Sequence, residues 1–299
     1  MIDVLQWLAE PLEFGFMRRA LLISAVAGLV CAVLSCWVTL IGWSLLGDAV
    51  SHAVLPGVVL AYVVGAPFSV GAFLFGVLAV LLIAGVRGTT ALKGDTAIGV
   101  VFTGLFALGV VLVSRVPSQV DLNHILFGNV LGVSDQDIAQ VLVIAAAVLL
   151  VALAKRRDLT LYAFDPTHAH AIGLSPKRIG ALLLTMLALT VVVALQAVGV
   201  VLVTAMLITP GATAFLLTRR FPRMLAAAAA VAVLSAVLGT YLSFHVDTST
   251  GGMVVLCQAV VFALAYLGAP RHGIIARQLR RHRSRGPHRS PADAATPLS

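Results

Sequence analysis

The chain has 299 residues, of which 60% are apolar and 11% charged, with a mean hydropathy of +1.05. A soluble globular domain carries about a quarter charged residues, so that class is excluded and a membrane protein is indicated. The net charge of +8 does not argue for a nucleic-acid partner: seven of the 20 Lys and Arg residues lie between Arg271 and Arg289, and residues 1–270 hold 13 basic and 11 acidic residues, a net of +2.

A spanning helix needs about 20 mostly apolar residues. Residues 1–16 contain Asp3, Glu10, Pro11 and Glu13 and lack the basic-then-apolar pattern of a cleaved signal peptide. Apolar runs long enough to span then follow at 20–40, 44–64, 68–86, 96–114, 138–154, 179–197, 199–218, 224–243 and 252–269. These predict an all-α polytopic membrane protein with about nine transmembrane helices; eight is the alternative, because the sixth and seventh runs are divided only near Gly199. Cys31, Cys36 and Cys257 fall inside apolar runs, an odd number without disulfide spacing.

Orientation follows the Lys/Arg bias of short loops. Arg87 and Lys93, then Lys155, Arg156, Arg157, Lys177 and Arg178, then Arg219, Arg220 and Arg223, and finally the tail, are all cytoplasmic if the N-terminus is outside. Residues 116–137 hold Asp121, Asp135 and Asp137 without a Lys or Arg, as an outer loop should. Arg18 and Arg19 run against the scheme, and Arg115 lies at an outer end. Leu55-Pro56-Gly57 followed by Pro67 in the second run pairs with Thr209-Pro210-Gly211 followed by Pro222 in the seventh, the arrangement expected of an inverted repeat.

Ionisable side chains inside a span are costly and normally face a cavity or a partner. Asp48 and His52 stand four positions apart, on one helix face, with about 6 Å of rise between them. Pro56 cannot donate to the carbonyl of His52, and Pro210 likewise leaves that of Met206, so a carboxylate, an imidazole and a backbone oxygen are expected at one level of the second span. Carboxylate plus neutral imidazole suits divalent manganese, iron, zinc or cobalt. Two side chains are too few for a closed structural zinc site, and a two-fold dimer would double them. A proton relay and a simple helix brace are the other readings of the pair. An intramembrane hydrolase is disfavoured: Ser51 and His52 are adjacent, hence about 100° apart on a helix, and neither a Gly-x-Ser-x-Gly elbow nor His-Glu-x-x-His occurs.

The run Gly47-Asp48-Ala49-x-Ser51-His52-Ala53-Val54-Leu55-Pro56-Gly57, with Asp95-Thr96-Ala97-Ile98-Gly99, His124-Ile125-Leu126-Phe127-Gly128-Asn129 and Met206-Leu207-Ile208-Thr209-Pro210-x-Ala212-Thr213-Ala214, resembles the membrane permeases of bacterial ABC importers for manganese, zinc and iron. Gly94 and Gly211 depart from the usual Ser and Ala of the pattern. The resemblance implies that Asp48 and His52 coordinate the travelling ion, most nearly in the manganese-type form. It also implies a homodimer of permeases in the cell membrane, separate cytosolic ATPase subunits and an extracytoplasmic metal-binding protein. No cofactor and no enzymatic activity are expected of this chain, which lacks a Gly-x-x-x-x-Gly-Lys-[Ser/Thr] phosphate loop. The readings from other classes are a proton-coupled metal transporter that uses Asp48 and His52 as its relay, and a membrane scaffold or sensor.

Residues 1–16 form an N-terminal segment, 17–270 the permease domain and 271–299 a basic, disordered tail able to touch anionic lipid. In the loop 155–178, Phe164 reads as a staple, Asp165 as an N-cap, Pro166 as the first-turn proline and Gly173 as the C-cap of a short helix over 166–172. Ser175-Pro176 is the next start signal. The resemblance places ATPase coupling here, on Phe164, Asp165, Ala169, Ala171 and Gly173, with His168 and His170 as solvated or interface residues. Asp95 is an N-cap or a pathway acid. His124 reads first as a structural residue of an outer loop and second as an entrance residue, and His245 with Asp247 first as structural and second as a weak outer metal contact. Phe, Leu and Val stripes elsewhere are read as lipid or bundle packing.

Overall fold

A computed structural model describes residues 10–43, 45–90, 94–115, 133 and 135–268. Lys93, Asp121, the motif at 124–129 and the tail lie outside the described residues. The helices are α1 (Gly15–Ile41), α2 (Leu46–Ala53), α3 (Leu55–Val64), α4 (Phe68–Thr89), α5 (Gly94–Arg115), α6 (Asp135–Ala154), α7 (Arg156–Phe164), α8 (Pro166–Ala171), α9 (Pro176–Val198), α10 (Val200–Leu217), α11 (Phe221–Val246) and α12 (Thr250–Gly268). Among the described residues nine spans are long and apolar enough to cross a membrane, α2 and α3 together forming the second.

Gly199 is what separates the sixth span from the seventh. Its φ of 82° and ψ of 165° fall in a region open essentially to glycine alone, so α9 stops at Val198 and α10 starts afresh at Val200. Among the described residues the count is therefore nine. The Arg19 guanidinium lies 3.0 Å from the Asp135 carboxylate. That places the start of α1 and the start of α6 at the same end of the bundle, and it gives the anomalous positive charge a local counter-charge in the acidic loop.

Without a hydrophobic drive between helices in lipid, tight association needs small residues that let backbones approach. The long α1 is the centre of this packing and lies chiefly against α10 and α11. A Cβ on Gly211 of α10 would sit 2.6 Å from the Ser35 carbonyl oxygen of α1, and one on Gly239 of α11 would sit 2.5 Å from the Val254 Cα of α12. Gly57 of α3 and Gly71 of α4 face each other so closely that a Cβ on either would run into the other's carbonyl. The two Pro-Gly pairs thus do the same job, but against non-corresponding neighbours, α4 for Gly57 and α1 for Gly211. On the periphery α5, α6 and α12 leave many apolar side chains exposed, as a lipid-facing wall must.

Beyond α6 the stretch expected as a loop forms the helix α7 and then α8. Asp165 caps α8 through its carboxylate, which accepts from the amides of Thr167 at 3.0 Å and His168 at 2.9 Å. At the other end Gly173, at φ 90°, donates to the His170 carbonyl and Leu174 to that of Ala169, both at 3.0 Å, a Schellman closure. The helix ends at Ala171, with Ile172 as its cap. Phe164 is no staple: it is 64% exposed.

Replacing Gly57 by Ala should therefore cost about 1–3 kcal/mol as overpacking. Gly85→Ala, where a Cβ meets open space, should be neutral or stabilise by up to about 1 kcal/mol. Thermal unfolding of the two purified variants in detergent checks the contrast.

Candidate metal-passage site

The second span is not one uniform helix. Gly42, at φ 80°, ends α1, and the amide of Leu46 bonds the Trp43 carbonyl at 3.0 Å to start the eight-residue α2. Asp48 occupies the first turn of α2 and His52 the last. Gly47 lets α2 lie tight on α10: a Cβ there would be 2.9 Å from Leu207 Cδ1.

The expected face is formed. His52 Nε2 lies 3.4 Å from Asp48 Oδ1, at the long limit of a hydrogen bond, and the side chains are 26% and 36% exposed. Among the described residues no third His, Cys, Asp or Glu joins them in a metal-holding group. Ser51 is buried, and its Oγ donates to the Gly47 carbonyl at 2.8 Å, which leaves it no role as a nucleophile. The expectation of a free His52 carbonyl is corrected: deprived of the amide at position 56, it accepts from a backbone N–H at the C-cap of α2. Val54 keeps helical angles there, so Pro56 produces a local break rather than an unwound loop. Pro210 is likewise carried within a continuous α10.

Two residues that composition had assigned to packing belong beside this pair. Phe102 and Phe106 of α5 bring their ring centroids to 5.5 and 5.3 Å from the imidazole, Phe106 edge-on at 82°. Their i, i+4 spacing, which equals that of Asp48 and His52, was the available signal. A cavity of about 330 Å³ extends from His52 along α3 and α5, walled by Val54, Leu55, Val58, Phe106, Val110 and Val113, and further by Ser114, Leu195 and Val200. Those last residues lie at the ends that the basic-loop rule puts outside.

The other candidates are scattered. Asp95 is exposed in the first turn of α5, where its charge suits the helix dipole. His245 packs against Phe244 in the last turn of α11, and Asp247 ends that helix at φ 54°. Ala169 is buried, whereas Asp165, His168, His170, Ala171 and Gly173 are exposed around α8. Phe164 borders a groove of about 470 Å³ between α7 and the start of α11, with Arg156, Arg157 and Phe221 among its walls.

Comparison with known proteins identifies the frame in which these residues stand. Residues 13–269 match the model of the ABC 3 transport family. The chain is 55% identical over 281 residues to the manganese transport system membrane protein MntB of Synechocystis, covering 94% of this chain and 92% of that one. It is 50% identical over 260 residues to the chelated iron transport system membrane protein YfeD of Yersinia pestis, covering 87% and 88%. Among solved structures, PsaBC from Streptococcus pneumoniae in complex with Fab superposes with a TM-score of 0.81 at 36% identity, over 93% of this chain and 99% of that one. The chain belongs to the ABC 3 transport family and is a membrane permease subunit of a metal-ion ABC transporter, a multi-pass protein of the cell membrane.

Proposed function

We propose that this permease imports a divalent transition metal, manganese first, and that Asp48 and His52 are the residues that hold the ion in transit. The observation that carries the reading is the pair itself: a carboxylate and an imidazole 3.4 Å apart, both partly exposed, with the imidazole lining a cavity. An oxygen and a nitrogen donor form a borderline-to-hard set suited to manganese, iron or zinc. The 55% identity to a manganese system favours manganese, while the iron systems among the relatives keep iron as the competitor.

Two protein ligands bind loosely enough to release, and a pathway site must release what it binds. A second copy of the chain, related by a two-fold axis, would supply the matching Asp and His and close the shell during transit. Cytosolic ATPase subunits would grip α8 and drive alternate exposure of the pair, with an extracytoplasmic metal-binding protein loading the cavity from outside. Membership of an ATP-driven family argues against the proton-relay reading of the same two residues.

In vesicles holding the permease and its ATPase, Asp48→Asn and His52→Ala should each lower ATP-driven manganese uptake by at least the about 10–100-fold that loss of even an outer partner costs a metal site. Normal amounts of folded protein should be retained. Wild-type uptake in both variants would remove the pair from the pathway.

The coupling role of α8 has a separate test. Asp165→Ala removes the cap and should weaken the helix by about 1 kcal/mol, lowering ATP-coupled transport, while Asp165→Asn keeps an N-cap acceptor and should stay near wild type. Equal loss in both would mean that the charge, not the cap, is what the ATPase contact requires.

A further inference from the structure

The cavity reaches His52 of the pair from one side only. On the other side the chain turns through Gly42 and Trp43 immediately before α2. Trp43 is 3% exposed, and the guanidinium carbon of Arg87, from the last turn of α4, lies 4.3 Å from its ring centroid. Gly94, which opens α5, fits between them: a Cβ there would lie 3.6 Å from both Arg87 Nε and Trp43 Nε1. Tyr162 of α7 stands within the field of the Arg87 charge. Burial raises its hydroxyl pKa, the Arg87 charge acts in the opposite sense, and the hydroxyl lies against Gly180 of α9.

This layer lies on the cytoplasmic side of the site. From Gly94 to Phe102, whose ring flanks His52, is eight residues, about 12 Å of helix rise. The cavity runs from Phe106 toward Ser114, in the opposite direction. No carboxylate among the described residues forms an ion pair with Arg87, so its charge is held in place by an aromatic face rather than neutralised. A fixed cation in a narrow passage repels a divalent ion twice as strongly as a monovalent one. The elements that hold it include α7, joined directly to the α8 segment, and the Trp43 turn, joined directly to α2.

We propose that Arg87 is the barrier residue of the transport pathway: seated over Trp43, its guanidinium closes the cytoplasmic exit below Asp48 to a divalent cation, and displacement of α7 moves it aside. This rests on the reading of Asp48 and His52 as the passage site. Arg87 touches no ion in the closed state and acts by position and charge.

The test uses the permease with its ATPase in vesicles that enclose a manganese-quenched dye, with manganese outside. ATP-driven entry in the wild type comes first, because its failure would sink the transport reading and leave the barrier a separate matter. Without ATP, Arg87→Gln should raise manganese entry about tenfold or more over wild type, whereas Arg87→Lys, which keeps a cation over the ring, should remain tight. Adding His52→Ala to Arg87→Gln should suppress the leak, since the leak must run through the site. Arg87→Gln as tight as wild type overturns the proposal, and so does an equal leak in Arg87→Lys or one shared by the enclosed dye, which would mark a packing defect. If Arg87→Gln does not assemble, Trp43→Leu, which removes the seat and keeps the charge, should leak several-fold, and a tight Trp43→Leu counts against the barrier.

Discussion

An ionisable side chain in a transmembrane helix costs about 2.5–3.5 kcal/mol on insertion scales, and Asp48 imposes that cost on the second span. The surrounding structure is organised to carry it. His52, one turn away, supplies a partner at 3.4 Å. Gly47 lets the polar helix lie flush against Leu207, and the Phe102 and Phe106 rings cover the flank of the imidazole. The pair is left partly exposed, with His52 lining a cavity, instead of being sealed into the core. A structural brace would be better buried; a site that exchanges its occupant has to stay accessible.

The rest of the fold divides into a stiff part and a part able to transmit movement. In the stiff part, α10 closes on α1 through Gly211 and α11 on α12 through Gly239, backbone approaches that no larger residue would permit. The transmitting part begins at the cytoplasmic end of α1. Trp37 donates from its indole N–H to Thr160 Oγ1 of α7 at 3.2 Å, and its ring packs at a tilt against Phe221 of α11, centroids 5.2 Å apart. Trp43, six residues on, holds Arg87 and starts α2. One stretch of chain therefore links the cytosolic α7–α8 segment to the helix that bears Asp48, and Gly42, in the left-handed region, provides the bend between them.

Much of this was legible in the residues. The spans followed from apolar runs, the Asp48–His52 face from four-residue spacing, and α8 from an Asp-Pro start and a glycine stop. The division near Gly199 followed as well, though not its cause, because an apolar run hides a backbone angle. Helix α7 escaped notice because Arg-Arg-Asp looks like a loop and Lys155 offers no side-chain cap. Phe164 was misjudged because a staple depends on where the preceding helix points, which only tertiary structure decides. Phe102 and Phe106 were visible as a pair but not as neighbours of His52, since their contact joins elements about 50 residues apart, beyond the reach of local periodicity. The same holds for Trp43 and Arg87.

The central claim, that Asp48 and His52 hold the passing ion, is tested most directly by manganese binding to the purified permease in lipid nanodiscs. Electron spin resonance would count bound ions and detect nitrogen coupling from an imidazole ligand. The account predicts one ion per two chains, with a nitrogen signal that disappears in His52→Ala and occupancy that falls in Asp48→Asn. A bound ion whose count and nitrogen coupling are the same in both variants and in the wild type would contradict it.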